Sequence, residues 1–211
     1  MKAMYCPPVI IRSIFREFHW TTSSGKVLLT FDDGPIPETT GTLLNELDKL
    51  NIKCTFFCVG NNVKNNRAIA KEILNAGHTI ANHTYNHRKI AFKPVDIQRV
   101  EIEQCCKIIE DVTGAAVRYF RPPHGRIDFK LSKVLSEARL QGVLWSLLTL
   151  DYKNNLNIVK FTVEKYLKNN SIVVLHDSLK SKDIIIDSIR FIAEEVKKKG
   201  FEFGDAEECL K

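Results

Sequence analysis

The sequence predicts an α/β domain in which a mainly parallel sheet is covered by outer helices. Three observations carry that expectation. Short runs of β-branched or aromatic residues alternate with helical patterns along the chain, the order that repeated strand and helix units produce. Polar residues suited to chemistry stand immediately after the apolar runs, where parallel α/β folds gather their loops on one face. The length of 211 residues suits one domain with decorations, able to bury about 70% of its unfolded surface without disulfide staples.

The elements follow in order. An amphipathic piece with Ile10, Ile11, Ile14, Phe15 and Phe18 is expected to pack outside the sheet as an extra helix. The first strand candidate spans 27–31 and leads to a helical pattern over 38–50. A strand over 54–59 precedes a helix over 62–75, and Gly77 stands where helices commonly end. Next come a strand over 79–81 and a helix over 94–112, with Pro94 where a helix begins without losing a useful N–H. Strands at 117–120 and 143–147 flank a helix over 128–138, and a helix over 158–167 leads to a strand at 172–175. In the helix over 183–199, Ile185, Ile189, Ile192 and Val196 recur at spacings of three and four and form one buried stripe before Gly200. A run at 201–203 completes seven strand candidates, which leaves a barrel and a doubly wound sheet as the two architectures. The dinucleotide fingerprint G-x-G-x-x-G and the phosphate loop G-x-x-x-x-G-K-[ST] are absent, which disfavours a nucleotide-binding doubly wound fold.

Hydrophobic residues at 44% and charged residues at 27% exclude a disordered tail, a collagen-like rod and a disulfide miniprotein. No apolar run approaches the roughly 20 residues needed to cross a bilayer, so no transmembrane segment is expected. The run at 9–11, bounded by Pro7, Pro8 and Arg12, is too short for a signal-peptide core; the chain as written reads as cytoplasmic. A net charge of +6 favours an anionic partner in principle. The densest basic run, Lys197, Lys198 and Lys199, instead ends a predicted helix, where cations complement the dipole. No basic segment is interleaved with stacking aromatics, so nucleic acid is not an expected partner. The six cysteines (Cys6, Cys54, Cys58, Cys105, Cys106 and Cys209) lack the paired spacings of a structural zinc site and are expected as buried free thiols.

Five strand ends deliver polar groups to one place: Asp32 and Asp33, His83 and His87, Arg121, Asp151, and His176 with Asp177. Histidines four apart point the same way on a helical turn, and two imidazoles with one carboxylate leave an open position on a divalent metal. Asp33, His83 and His87 are therefore candidate ligands. Adjacent carboxylates repel unless a cation or hydrogen bonds compensate them; one ligating a metal while the other acts as a base resolves the conflict. Surface histidines and a plain turn at Asp32-Asp33-Gly34-Pro35 are the alternative readings. Trp145 is expected in the core, as are Cys105 and Cys106, while His19 and His78 read as structural or surface residues. Ser178 and Ser181 lack a nucleophile elbow G-x-S-x-G, which argues against a serine hydrolase.

Four motifs then carry a resemblance. Thr30-Phe31-Asp32-Asp33-Gly34-Pro35, Asn82-His83-Thr84-Tyr85-Asn86-His87, Arg121-Pro122-Pro123-His124-Gly125-Arg126 and Leu175-His176-Asp177 resemble, in order, the motifs of polysaccharide deacetylases (carbohydrate esterase family 4, the NodB homology domain). The similarity runs from about Lys26 to the end, which implies a deacetylase domain over 26–211 and an N-terminal extension over 1–25 packing on it. The implied fold is a distorted (β/α)7 barrel of parallel strands with outer helices. The implied ligands of a divalent metal, commonly Zn2+ with Co2+ or Ni2+ as alternatives, are Asp33, His83 and His87. The resemblance implies Asp32 as catalytic base, His176 as catalytic acid, Arg121 as the residue holding the base and Asp151 as the one orienting the acid.

The implied reaction is removal of acetyl groups from an N-acetylated glycan, peptidoglycan-like or chitin-like, with the backbone N–H of His124 in the loop that ends at Gly125 helping to stabilise the oxyanion. A glycan-binding module without turnover and a hydrolase of a small or lipid-linked amino sugar are the rival readings. Relatives that act on cell walls are exported, so the resemblance also points to the cell envelope. Three positions depart from the family pattern: His124 replaces a usual tyrosine, Tyr152 a frequent tryptophan, and Leu148 a residue that is often acidic. These departures are expected to alter substrate fit and rate more than reaction type.

Overall fold

The computed structural model describes residues 5–211; residues 1–4 of the expected N-terminal extension lie outside them. Along the described chain the elements are α1 (Val9–Ile14), β1 (Leu28–Asp33), α2 (Thr40–Lys49), β2 (Thr55–Cys58), α3 (Gly60–Asn65), α4 (Arg67–Asn75), β3 (Thr79–Asn82), α5 (Val95–Thr113), β4 (Tyr119–Phe120), α6 (Phe129–Glu137), β5 (Gln141–Gly142), β6 (Leu147–Leu148), α7 (Leu156–Tyr166), β7 (Ile172–His176), α8 (Ile185–Lys198) and α9 (Ala206–Cys209). The seven strands form one parallel sheet in the order β5-β4-β3-β2-β1-β7-β6. The two edge strands, β5 and β6, are joined by residues 143–146 alone. A connection that short holds the sheet edges within about 17 Å of each other, so the sheet must curl into a half-barrel, in agreement with the expected (β/α)7 architecture.

Side-chain alternation sorts the strands into an outer and an inner set. Leu29, Phe31, Phe56, Val173 and Leu175 pack outward with Leu43, Ile73, Ile102, Ile189 and Ile192 of the helices. Leu28, Phe57, Ala81, Tyr119, Val143 and Ile172 form a second cluster. The two-residue period of a strand places Thr30 and Asp32 on the same side as Leu28. Register then aligns the strand ends: Asp32 pairs with His176, Asp33 with Cys58, Cys58 with Asn82 and Asn82 with Phe120. The residues that follow, His83 and Arg121, therefore emerge side by side.

Four expectations need correction. The run at 143–147 is mostly a connection rather than a strand: β5 ends at Gly142, Val143 makes only a bridge to His19 and β6 begins at Leu147, because the chain there crosses from one sheet edge to the other. The run at 201–203 contributes only a single bridge, Val27 to Phe203. The helix over 62–75 breaks at Asn66, whose backbone is non-helical (φ −127, ψ 52) and whose side-chain amide donates to the carbonyls of Pro35 and Asn62. Finally, α1 forms, but Val9, Ile10, Ile11 and Ile14 remain exposed. Six residues make fewer than two turns, and the packing falls instead to Phe18 and Trp20, which are buried. A Cβ on Gly142 would come within 2.3 Å of the Phe18 ring, so the glycine in β5 makes room for that contact. All six cysteines are free, as expected; Cys6 is exposed and Cys106 half-buried, the other four buried.

Candidate active site

The adjacent carboxylates of β1 face different partners. Asp32, buried, accepts from Arg121 Nη1 at 2.7 Å. Because Thr30 shares its strand face, the same nitrogen donates to Thr30 Oγ1 at 2.7 Å. Arg121 Nε donates to the Val143 carbonyl at 3.2 Å and Nη2 to the Leu144 carbonyl at 3.0 Å. The guanidinium lies 4.0 Å over the Phe57 ring and is fully buried. Burial pulls Arg121 down from its ordinary value, but an arginine starts high enough to keep its charge. Its acceptors are Asp32, Thr30 and the carbonyls of Val143 and Leu144; the apolar Leu148 supplies none.

Asp33, His83 and His87 bring one donor atom each to within 4.8 Å of one another. Asp33 Oδ1 stands 3.2 Å from His87 Nε2 and 3.8 Å from His83 Nε2. His83 Nδ1 meets the Arg121 carbonyl at 2.7 Å, so this nitrogen carries the proton and leaves Nε2 free to ligate. Burial raises the Asp33 carboxyl, but a hydrogen bond from His87 and the charges of His176, His83 and His87 outweigh it and hold Asp33 well below the usual carboxylate range. Burial also lowers His83, against the attraction of Asp32 and Asp33.

The histidine pair meets without the expected helical turn. The chain from His83 to His87 is irregular, with left-handed backbone at Thr84 (φ 66) and His87 (φ 54). It is tied down by Asn82 Oδ1, which accepts the Thr84 N–H, and by Glu101 of α5, which accepts both the N–H and the side-chain amide of Asn86. The rings end 5.1 Å apart. Asp33 is likewise left-handed (φ 83), and its carbonyl accepts from the Asn62 amide at 2.8 Å. Asp33, His87 and His124 (φ 60) are thus all held in a sparsely populated conformation, a form of strain that clusters at functional sites.

On the other side, His176 Nδ1 and Asp151 Oδ1 are 2.7 Å apart, and Asp151 Oδ2 accepts the His176 backbone N–H at 2.7 Å. Burial lowers the imidazole, but Asp151, by charge and hydrogen bond, with Asp33 and Asp32 beyond it, raises His176 to about 9. Asp151 is fully buried. Tyr152 stands edge-on to the His176 ring at 5.0 Å. Next to His176, Asp177 is buried between the hydroxyls of Thr39 and Thr40 and sits so close to Gly34 that a Cβ there would meet its Oδ2 at 2.1 Å.

Asp32, Asp33, His83, His87, Tyr152 and His176 line a cleft of about 320 Å³ with His124, Trp145, Leu148, Val174 and Lys180. His124 packs edge-on to His87 at 5.0 Å; burial and the charges of His87, Lys89 and His83 lower it to about 4. Trp145 departs from the expected core role: half-buried, it forms part of the cleft wall, and its indole N–H has no partner among the described residues. A Cβ on Gly125 would come within 2.3 Å of that indole, and Gly125 itself has φ 62. Sequence reasoning assigned nothing to Lys180, and no residue-type pattern marks it. His19 reaches Gln141 at 3.0 Å and His78 is buried against Phe56, both as structural residues.

A model described as polysaccharide deacetylase matches residues 19–143. The chain belongs to the polysaccharide deacetylase family. Among curated relatives of this deacetylase family member, a peptidoglycan-N-acetylglucosamine deacetylase of Bacillus cereus is 34% identical over 186 residues, covering 86% of this chain and 66% of its own length; the chain thus spans just under two thirds of that relative. Among solved structures, the Bc1960 peptidoglycan N-acetylglucosamine deacetylase is 29% identical, covers 94% of each chain and superposes with a TM-score of 0.86. A Bacillus anthracis protein described as a CE4 family pseudoenzyme is 25% identical, with 91% of this chain and 68% of that one covered and a TM-score of 0.82.

Proposed function

We propose that the protein removes acetyl groups from N-acetylated amino sugars of a glycan, peptidoglycan-like or chitin-like. One observation supports this reading above the others: three ligand atoms, a carboxylate paired to an arginine and a histidine paired to an aspartate open into the same cleft. The donor set fits a divalent cation, since one carboxylate and two imidazoles lie within 4.8 Å and His83 has its Nε2 free. Zn2+ suits it best, with Co2+ and Ni2+ acceptable to the same donors. Held by Asp33, His83 and His87, such an ion would polarise an acetamide carbonyl and make water easier to deprotonate.

The chain's own groups supply the remaining steps. Asp32 takes a proton from water as the water oxygen bonds to the acetamide carbon and the carbonyl electron pair moves onto oxygen. The His124 N–H, which donates to no carbonyl among the described residues, can donate to that developing charge. An amine leaves poorly as an anion, so the C–N bond breaks as His176 delivers its proton to nitrogen, yielding acetate and free amine. Arg121 fixes the Asp32 carboxylate, and Asp151 keeps His176 protonated. Exposure of His124, Tyr152 and Lys180 at the cleft mouth suits a polymer over an enclosed small substrate. Relatives named for peptidoglycan support action at the cell envelope; no helix among the described residues is long and apolar enough to cross a membrane.

The likeness to a pseudoenzyme favours a second reading, glycan binding without turnover. The two are separated by acetate release from N-acetylglucosamine oligomers and from peptidoglycan, using zinc-loaded protein and Asp32→Asn as the blank. Wild-type release reduced about 10²- to 10⁴-fold by the substitution is expected. Binding with no release from any substrate would establish the second reading.

A further inference from the structure

Among the groups lining the cleft, the charges are matched except at one residue. Asp32 is paired with Arg121 and His176 with Asp151, while Asp33 belongs with the two ligand histidines. Trp145, Leu148, Tyr152 and Val174 carry no charge at neutral pH. Lys180 has no carboxylate within ion-pair distance among the described residues, although it lines the same cleft. Its place is built rather than incidental. It occupies a turn directly after β7, closed by a Ser181 N–H to Ser178 carbonyl bond and pinned by Ser181 Oγ, which donates to the His176 carbonyl at 2.5 Å. The turn that carries Lys180 is thus tied to the backbone of His176. With a divalent ion bound, the cleft carries net positive charge from its centre to this rim, and Lys89, two residues beyond His87, adds a second exposed cation on the side of His124.

We infer that Lys180 is a specificity-determining residue that recognises a carboxylate on the substrate, so that the cleft selects an anionic N-acetylated glycan over a neutral one. This inference rests on the deacetylase reading above and names its substrate class. A glycan in which a neighbouring sugar bears a free ether-linked lactyl carboxylate, as in peptidoglycan strands from which the peptide stems have been removed, has the required chemistry; a chitin chain, or a strand whose lactyl groups are amide-linked to peptide, does not offer it at that position. A fully exposed ion pair is worth little, but a substrate laid over the lysine excludes water from the pair and strengthens it.

Three substrates of equal length test the inference with the zinc-loaded full chain: a neutral N-acetylglucosamine oligomer, a peptide-free glycan with lactyl carboxylates on alternate sugars, and the same glycan with those carboxylates converted to amides. Wild type is expected to favour the carboxylate form over both others, and the preference to shrink as salt rises. Lys180→Met should reduce the carboxylate-to-neutral ratio of kcat/KM about tenfold, through KM, with Lys180→Arg retaining most of it. Calorimetric binding to the Asp32→Asn protein should give the same order of affinities. An unchanged ratio in Lys180→Met, or equal wild-type kcat/KM for the three glycans, overturns the inference and leaves deacetylation standing. Acetate from none of the three would defeat the deacetylase reading itself.

Discussion

Two ion pairs flank the cleft, one fully buried and one with a half-buried histidine, and in the proposed reaction their difference separates a base from an acid. Asp32 meets Arg121 and Asp151 meets His176, each at 2.7 Å. The arginine cannot lose its charge within the working pH range, so its carboxylate has a fixed counter-charge and remains available to accept a proton. The histidine can lose its proton, and the aspartate beside it delays that loss to about pH 9. On the proposed mechanism, the same pairing of anion with cation makes the anion the reactive group in one case and the cation in the other. Asp32 and His176, cross-strand neighbours on β1 and β7, line the cleft, while Arg121 and Asp151 are fully buried and do not line it.

Breaking the fixed pair should have the largest effect on the molecule. Arg121→Met leaves Asp32 buried without its counter-charge and releases the Thr30 hydroxyl and two carbonyls from their donor. Loss of one partner of a buried pair costs about 3–5 kcal/mol. Denaturant unfolding of the metal-free protein checks this; a loss below about 1 kcal/mol would mean that water reaches Asp32 and that the pair is not the isolated unit described.

Breaking the titratable pair should instead change a pH profile. His176 must be protonated to serve as acid, so activity is expected to fall as pH rises through about 9. Asp151→Asn removes the charge that opposes the effect of burial, and the imidazole should then drop toward or below its ordinary value of about 6.5. The alkaline limb of kcat/KM moves acidward, and turnover near pH 7.5 falls about 10- to 100-fold. A limb that stays near 9 in the variant would assign it to some other group.

The members of both pairs were legible as polar residues at or near strand ends, where the loops of a parallel sheet converge, while their pairing, Arg121 with Asp32 and Asp151 with His176, was implied by the resemblance to the deacetylase motifs. The ligand set was legible for the same reason, although the helical turn assumed for His83 and His87 is a loop held by Asn82 and Glu101. The Asn82 bond is local, two residues along the chain, but the Glu101 bonds join residues 15 apart across a loop and a helix, and no local pattern announces those. The division of the 143–147 run was hidden because an apolar stretch that crosses between sheet edges has the same composition as a strand. Trp145 was hidden with it: the residue type favours burial, and only the glycine opposite, Gly125, leaves room for the indole at the cleft wall. Lys180 belongs to a turn whose placement depends on one serine hydroxyl bonded to the His176 carbonyl, a tertiary fact with no periodic trace.

The smallest expected effects come from the threonines that stand behind the pairs, and they sharpen the distinction between positioning a charge and creating one. Thr30 accepts from Arg121 and donates to the Val173 carbonyl at 2.8 Å. Thr149 directs its hydroxyl to the Val174 carbonyl at 2.8 Å and stands farther, 3.2 Å, from Asp151 Oδ1. In each case a valine of similar shape removes one buried hydroxyl, for an expected loss of about 1 kcal/mol. Neither change removes a formal charge. Arg121 keeps Asp32 and two carbonyls, and Asp151 keeps both bonds to His176. Thr149→Val should therefore lower the unfolding midpoint while leaving the alkaline limb of the rate profile within about 0.3 of its wild-type position, because the attraction that holds the imidazolium is coulombic and survives. A limb displaced as far as in Asp151→Asn would show that the hydroxyl, rather than the carboxylate charge, maintains the acid.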